Sequence, residues 1–213
     1  MLDTTFSRPV GDIGNPETYD FPVVYHIVKN ATIQRVVKES DRTLLKPFIE
    51  GARELQQQGV RAITTSCGFL ALFQKEIQSQ LEVPFFSSSL IQIPLLHSLT
   101  GGRIGVLTAR SSSLGIKHFQ GVDAHQIPVS VQGMDGMPAF TNAIVDENAE
   151  LNMHKVALEI KQCIVQLVKN SPDLTAIVLE CTNMPPYRSA IREATDLPVF
   201  DINTLIHYVY SSI

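Results

Sequence analysis

The sequence predicts an α/β protein of two related lobes, each a parallel sheet flanked by helices. Three observations carry this. Short β-branched runs alternate with helical patterns. The chain repeats itself at an offset of 114 residues, the spacing from Cys67 to Cys181. Gly101-Gly102 lies between a helical pattern and a new strand, where paired glycines act as punctuation.

Taken in order, Val60 to Thr65 reads as a strand, Phe69 to Gln80 as a helix, Val83 to Phe86 as a strand and Leu90 to Leu99 as a helix. The second half follows with strands at Ile104 to Thr108, Ile127 to Val131, Ala176 to Leu179 and Pro198 to Phe200. Its helices fall at Glu150 to Lys169, Pro185 to Ala194 and Asn203 to Tyr210. Such alternation builds a parallel sheet with helical crossovers. At the repeat offset Ala62-Ile63 meets Ala176-Ile177, Phe73 meets Tyr187, Ile77 meets Ile191, Pro84 meets Pro198, Phe86 meets Phe200 and Ile91 meets Leu205. The expected lobes are residues 1–100 and 101–213, with the C-terminal helix packing back on the first. Arg103 to Thr108 opens the second lobe with a strand, whereas only Met1-Leu2 precedes Asp3 in the first. Aligning Leu2 with Leu107 leaves about four residues of a central strand without a counterpart.

Composition narrows the function. With 44% hydrophobic and 18% charged residues, 213 positions suffice for a substantial core. A net charge of −4 and the lack of a basic run argue against nucleic acid or an anionic membrane as partner. No apolar stretch reaches the roughly 18 residues of a membrane span, and the opening residues lack a basic n-region. A soluble, cytoplasmic protein is expected, with Cys67, Cys163 and Cys181 as free thiols.

In each half a cysteine sits just past a strand end and just before a helix. Ligands of open parallel sheets bind outside the carboxyl ends of the strands, so facing lobes bring both thiols to one cleft. Two monoprotic groups on opposite faces of an α-carbon are what racemisation requires. Cys67 and Cys181 are therefore the expected acid and base. The helix starts behind them would favour the thiolates, with Ser66, Gly68, Thr182 and Asn183 as further donors and backbone amides receiving the substrate carboxylate.

Other residues read more plainly. Cys163 lies on the apolar stripe Val156, Ile160, Cys163, Leu167 and belongs to a core. The six histidines show no metal-ligand spacing, so no metal is expected. His207 reads as structural. Glu180 adjoins Cys181, and strand alternation turns its carboxylate away from the thiol. Ser111 to Ser113 read first as helix caps. Asp12 to Pro16 is a turn-rich loop of a length to cover the cleft, with Asn15 a candidate contact. No dinucleotide fingerprint or Walker loop appears, and no cofactor is expected.

The segments Leu2 to Pro16, Thr64-Thr65-Ser66-Cys67-Gly68-Phe69 and Leu179-Glu180-Cys181-Thr182-Asn183-Met184 resemble the aspartate/glutamate/hydantoin racemase superfamily, and the resemblance covers essentially the whole chain. It implies two similar Rossmann-like lobes, cofactor-free proton transfer by Cys67 and Cys181, and a homodimer. It also implies Asp3, Thr108, Thr182 and Asn183 as substrate contacts, to which Ser66, Gly68, Phe69 and Asn15 are added by position. Glutamate racemases of this family carry histidine where this chain has Asn183, which argues against glutamate. The expected function is a cofactor-independent racemase or epimerase of a small carboxylate such as an amino acid. A maleate-type cis/trans isomerase, a hydantoin racemase and a non-catalytic small-molecule binder are the alternatives, and a decarboxylase that needs only one thiol is disfavoured by the second.

Overall fold

The computed structural model describes all 213 residues. The first lobe holds helix α1 (Leu45–Gln57), strand β1 (Ile63–Thr64), helix α2 (Gln74–Gln78), strand β2 (Phe85–Phe86) and helix α3 (Ile93–Thr100). The second begins with β3 (Arg103–Thr108), α4 (Ile116–Gly121), β4 (Val129–Gly133) and the single turn α5 (Pro138–Phe140). It continues with α6 (Met153–Asn170), β5 (Leu174–Leu179), α7 (Arg188–Arg192), β6 (Val199–Phe200) and α8 (Ile202–Tyr210). β1 pairs with β2, and the other four strands form a parallel sheet in the order β4-β3-β5-β6. This is the α/β architecture with parallel sheets expected from the sequence.

β5 is apolar at nearly every position because helices cover both of its faces. α6 starts at Asn152, whose side chain accepts from the Lys155 N–H, and buries Val156, Ile160, Cys163, Ile164 and Leu167 along one stripe. One cluster of 47 buried apolar residues runs through both lobes. A second, smaller one joins Ile202, Leu205 and Ile206 of α8 to Ile13 and Phe86 of the first lobe. No helix is long and apolar enough to cross a membrane.

The repeat is visible in the hydrogen bonds. Ile63 lies opposite Phe85 and Thr64 opposite Phe86, while 114 residues on Ile177 lies opposite Val199 and Val178 opposite Phe200. The side chains that support the strands repeat as well: Gln74 donates to the Phe85 carbonyl, and Arg188 donates to that of Val199. A second offset of 107 residues, hidden from a single-offset comparison, governs the rest. Gln34–Lys38 and Thr141–Val145 are both π-helical turns, closed by Glu39 N–H to the Gln34 carbonyl and Asp146 N–H to that of Thr141. Each is followed by a residue with φ near +50°, Ser40 and Glu147. The two repeat blocks thus differ by a seven-residue change in the connections between them.

The helices expected directly after the two cysteines are shorter than the sequence suggests. Gly68–Phe73 is a 3-10 segment leading into the five-residue α2, and Pro185–Tyr187 is a 3-10 turn leading into the five-residue α7. The strand expected over Val60 to Thr65 contracts to Ile63–Thr64, since β1 has a partner on one flank only. Its twin β5 is flanked on both sides.

A slot of about 590 Å³ runs along the free flank of β1, between Ala62 to Thr64 on one side and Val24 to His26 on the other. Met1 sits at its end. The Met1 ammonium donates to the His26 carbonyl, Val28 N–H donates to the Met1 carbonyl, and Leu2 N–H donates to Ser66 Oγ. In the second lobe Met134 N–H donates to the Thr108 carbonyl, and the Ala109 N–H donates to Glu180, which stands 114 residues after Ser66. Met1 therefore matches Thr108, and Leu2 matches Ala109 rather than Leu107. Adding five β-branched residues ahead of Met1 should fill the slot and pair β1. At about 1–2 kcal/mol net, this raises the melting temperature by about 5 °C. Equal melting temperatures for the two chains by calorimetry would show that the slot does not accept a strand.

Candidate active site

Cys67 and Cys181 come together in one cavity between the lobes, along with Ser66, Gly68, Phe69, Thr182 and Asn183. The cavity is small, about 30 Å³, which holds about two waters. Its roof is apolar. Phe6 contributes from the amino-terminal segment, while Ile33, Val37, Ile144 and Val145 come from the two π-helical turns and the residue before the first.

Each thiol is held the same way. A thiolate at Cys67 faces the Phe69 N–H, and one at Cys181 faces the Asn183 N–H, again 114 residues apart. The Cys181 Sγ–H donates to Asn183 Oδ1 at 3.5 Å. Burial nevertheless outweighs these donors. It pushes Cys67 up to about 12 and Cys181 well above the ordinary thiol value, and the carboxyl of Glu180 adds to both shifts. The expectation that helix starts activate the thiols fails here, because the following segments are short and the desolvation is nearly complete. Both cysteines are thus held towards the neutral thiol form. Cys163 lies in the core of α6, fully buried, with its Sγ–H directed at the Gly133 carbonyl.

Three expected contacts lie off the cavity. Asp3 is exposed and accepts from the Asn30 N–H. Asn15 accepts from the Glu17 N–H and donates through Nδ2 to the Arg8 carbonyl, so it holds the chain at Arg8 rather than a ligand. Thr108 is fully buried and donates through Oγ1 to Glu180 Oε2 at 2.7 Å. Ser66 and Thr182 line the cavity but are bound to the frame: Ser66 Oγ accepts from Leu2 N–H, and Thr182 Oγ1 donates to the Ser66 carbonyl across the lobes.

Two charged residues that sequence reasoning missed stand in the wall. Arg8 lines the cavity, stacked over the Phe6 ring at 4.5 Å. Its guanidinium donates to Asp12 Oδ1 at 2.8 Å and to Thr4 Oγ1 at 2.9 Å. Asp12 also accepts from the Gly14 N–H and from Asn183 Nδ2, which ties Arg8 to the second cysteine's loop. Glu180 is the other, and its expected outward orientation is wrong. β5 ends at Leu179, so strand alternation no longer governs the next side chain. A Cβ on Gly68 would overlap Glu180 Oε1 and the Glu180 carbonyl, so the carboxyl lies directly behind the first cysteine's loop.

Burial moves the Glu180 carboxyl up to about 7, against hydrogen bonds from Thr108 and the Ala109 N–H. The folded chain thus keeps this proton where the unfolded chain, with a carboxyl near 4.5, has lost it. The stabilising contribution is complete below about pH 4.5 and is lost as pH rises towards 7 and above, a change of about 3 kcal/mol. Glu180→Gln should therefore gain stability relative to the parent between pH 4 and 8. Urea unfolding across that range reads this directly, and a difference independent of pH would contradict it.

The sequence profile described as Asp/Glu/Hydantoin racemase matches residues 31–206. A dimethylsulfoniopropionate lyase of Durusdinium sp. clade D is 33% identical over 212 residues, covering 94% of this chain and 69% of that protein. Dimethylsulfoniopropionate lyase 7 of Emiliania huxleyi (strain CCMP1516) is 30% identical over 213 residues, covering 95% of this chain and 62% of that protein. The chain thus spans about two thirds of the length of these relatives. Among solved structures, a double mutant of arylmalonate decarboxylase in liganded form has a TM-score of 0.60 at 14% identity, covering 90% of this chain and 83% of its own. An aspartate racemase homologue from Pyrococcus horikoshii OT3 has a TM-score of 0.54 at 18% identity, covering 85% and 81%. At these identities the structures speak for the fold. The sequence relatives bear on the reaction, and their names overturn the expected racemase or epimerase, and with it the isomerase class. The fold, the thiol pair at one repeat position and the matched profile agree: this chain belongs to the aspartate/glutamate/hydantoin racemase family.

Proposed function

We propose that the chain is a lyase that splits dimethylsulfoniopropionate into acrylate and dimethyl sulfide. One observation carries this reading: relatives named for that lyase activity align with 94–100% of this chain at 27–33% identity. The cavity has the parts the reaction needs. Arg8 is the one cation in its wall and suits the substrate carboxylate, on which negative charge builds as the α-proton leaves. A cysteine thiolate takes that proton, the C–H electron pair becomes the C=C bond, and the C–S bond breaks with its pair, releasing neutral dimethyl sulfide. The proton then passes from the thiol to solvent.

Elimination removes one proton and returns none, so a single thiolate suffices as base. What separates this outcome from racemisation is the leaving group on the β-carbon. Burial that favours the neutral thiols fits this account, since a sulfonium beside them favours the thiolate. At about 30 Å³ the cavity is smaller than this ligand, so binding requires its wall to open. The decisive experiment incubates the purified chain with dimethylsulfoniopropionate and measures dimethyl sulfide by headspace gas chromatography and acrylate by NMR. Equal amounts of both are expected, and release no faster than in the protein-free blank would overturn the reading.

A further inference from the structure

The charges in the cavity wall are unevenly matched. Arg8 is neutralised by Asp12, and Asp12 is further held by Gly14 and Asn183. Glu180 has no cation. Its Oε2 accepts from Thr108 Oγ1, which fixes the carboxyl, while Oε1 is buried and has no hydrogen-bond partner. Glu180 is fully buried and belongs to the cavity wall, and the absence of a side chain at Gly68 is what leaves room for Oε1 between the two cysteine loops. A buried, fixed and unpartnered carboxyl oxygen is costly unless a ligand completes it.

We propose that Glu180 is the recognition group for a cationic leaving group, so that the site takes carboxylates bearing an onium centre on the β-carbon, with Arg8 at the carboxylate end and Glu180 at the onium end. This rests on the lyase reading for the identity of the onium group, but not for the charge pairing itself. The rest of the wall suits such a ligand. Phe6, Phe69, Ile33, Val37, Ile144 and Val145 offer apolar surface to the methyl groups of an onium and no competing anion. An onium cannot donate a hydrogen bond, so what it needs is a counter-charge in a dry site and aromatic surface; Phe6 and Phe69 give the rings, and a cation beside the Glu180 carboxyl favours its ionised form. Glu180 also adds to what burial does at the two thiols. The negative charge of Glu180 works against a thiolate at either cysteine, and an onium that pairs with Glu180 removes this opposition. The same carboxylate thus selects the substrate and keeps the bases quiet until it arrives.

The test compares two ligands of the same shape, 3-(trimethylammonio)propanoate and its neutral isostere 4,4-dimethylpentanoate, by titration calorimetry on the full chain and on Glu180→Gln. Gln keeps the volume and the acceptor for Thr108 and the Ala109 N–H. The parent should bind the onium at least about tenfold more tightly than the isostere, and in Glu180→Gln this preference should fall to within about threefold while the isostere binds as before. An undiminished preference in the variant would overturn the proposal, as would a parent that does not prefer the onium. Should Glu180→Gln fail to fold, Glu180→Asp, which draws the charge back by one methylene, must weaken the preference, and an unchanged ratio there is equally fatal. Onium preference lost in the variant, in a protein that releases no dimethyl sulfide, would sink the lyase reading and leave this assignment standing. Dimethyl sulfide release with no effect of Glu180 on the preference would do the reverse.

Discussion

Replacing the thiol that takes the α-proton should lower dimethyl sulfide release by about 10²–10⁴-fold, the usual contribution of a positioned acid or base. At least one of Cys67→Ala and Cys181→Ala must show a loss of this size, and the double variant should be inactive. The cavity holds no other side chain at the same two positions beside the Phe69 and Asn183 amides, so no neighbour takes over. Cys163→Ala sets the scale for a merely structural thiol. Its sulfur lies on α6's core stripe, buried against the Gly133 carbonyl and outside the cavity wall, so turnover should stay within about twofold while stability falls by about 1–2 kcal/mol. If both cavity variants kept more than a hundredth of the parent rate, proton abstraction by a thiol would be wrong. Iodoacetamide adds a direct reading: at high pH Cys67 and Cys181 should label before Cys163, because they border the cavity and Cys163 is sealed.

Arg8→Met should cost both stability and affinity, and the two losses can be separated. The guanidinium is only 12% exposed and Asp12 only 2%, so removal strands a carboxylate inside the protein. Breaking a buried pair in this way typically costs about 3–5 kcal/mol, which for a chain of this length lowers the melting temperature by about 10 °C. If Arg8 also receives the substrate carboxylate, KM should rise by about 10–100-fold, the worth of one charge-assisted hydrogen bond. The double variant Arg8→Met/Asp12→Asn is the control, since a neutral amide at position 12 needs no cation and still accepts from Gly14. It should recover most of the melting temperature while KM stays high. Recovery of both would assign Arg8 a structural role alone.

Much of this chain is determined by sequence alone. Apolar runs such as Leu174 to Leu179 can be stable only between covering helices, so the α/β class and the parallel sheet follow from periodicity. The 114-residue repeat placed Cys67 and Cys181 at equivalent strand ends, and the structure keeps that equivalence down to the register of β1 with β2 and β5 with β6. Residues whose positions depend on where a strand stops were not legible. Glu180 follows the last paired residue of β5, and one residue beyond a strand the alternation of faces no longer holds. The roof was illegible for another reason. The π-helical turns at Gln34–Lys38 and Thr141–Val145 repeat at 107 residues rather than 114, and neither has a periodicity that separates it from an ordinary loop. Arg8 lay in a segment singled out only by resemblance. Its place in the cavity depends on Asp12, Thr4 and the Phe6 ring converging from a loop. Tertiary structure alone decided the charges of the site, because the field at a buried thiol depends on which distant groups the fold brings near it, and no local pattern in the chain encodes that distance.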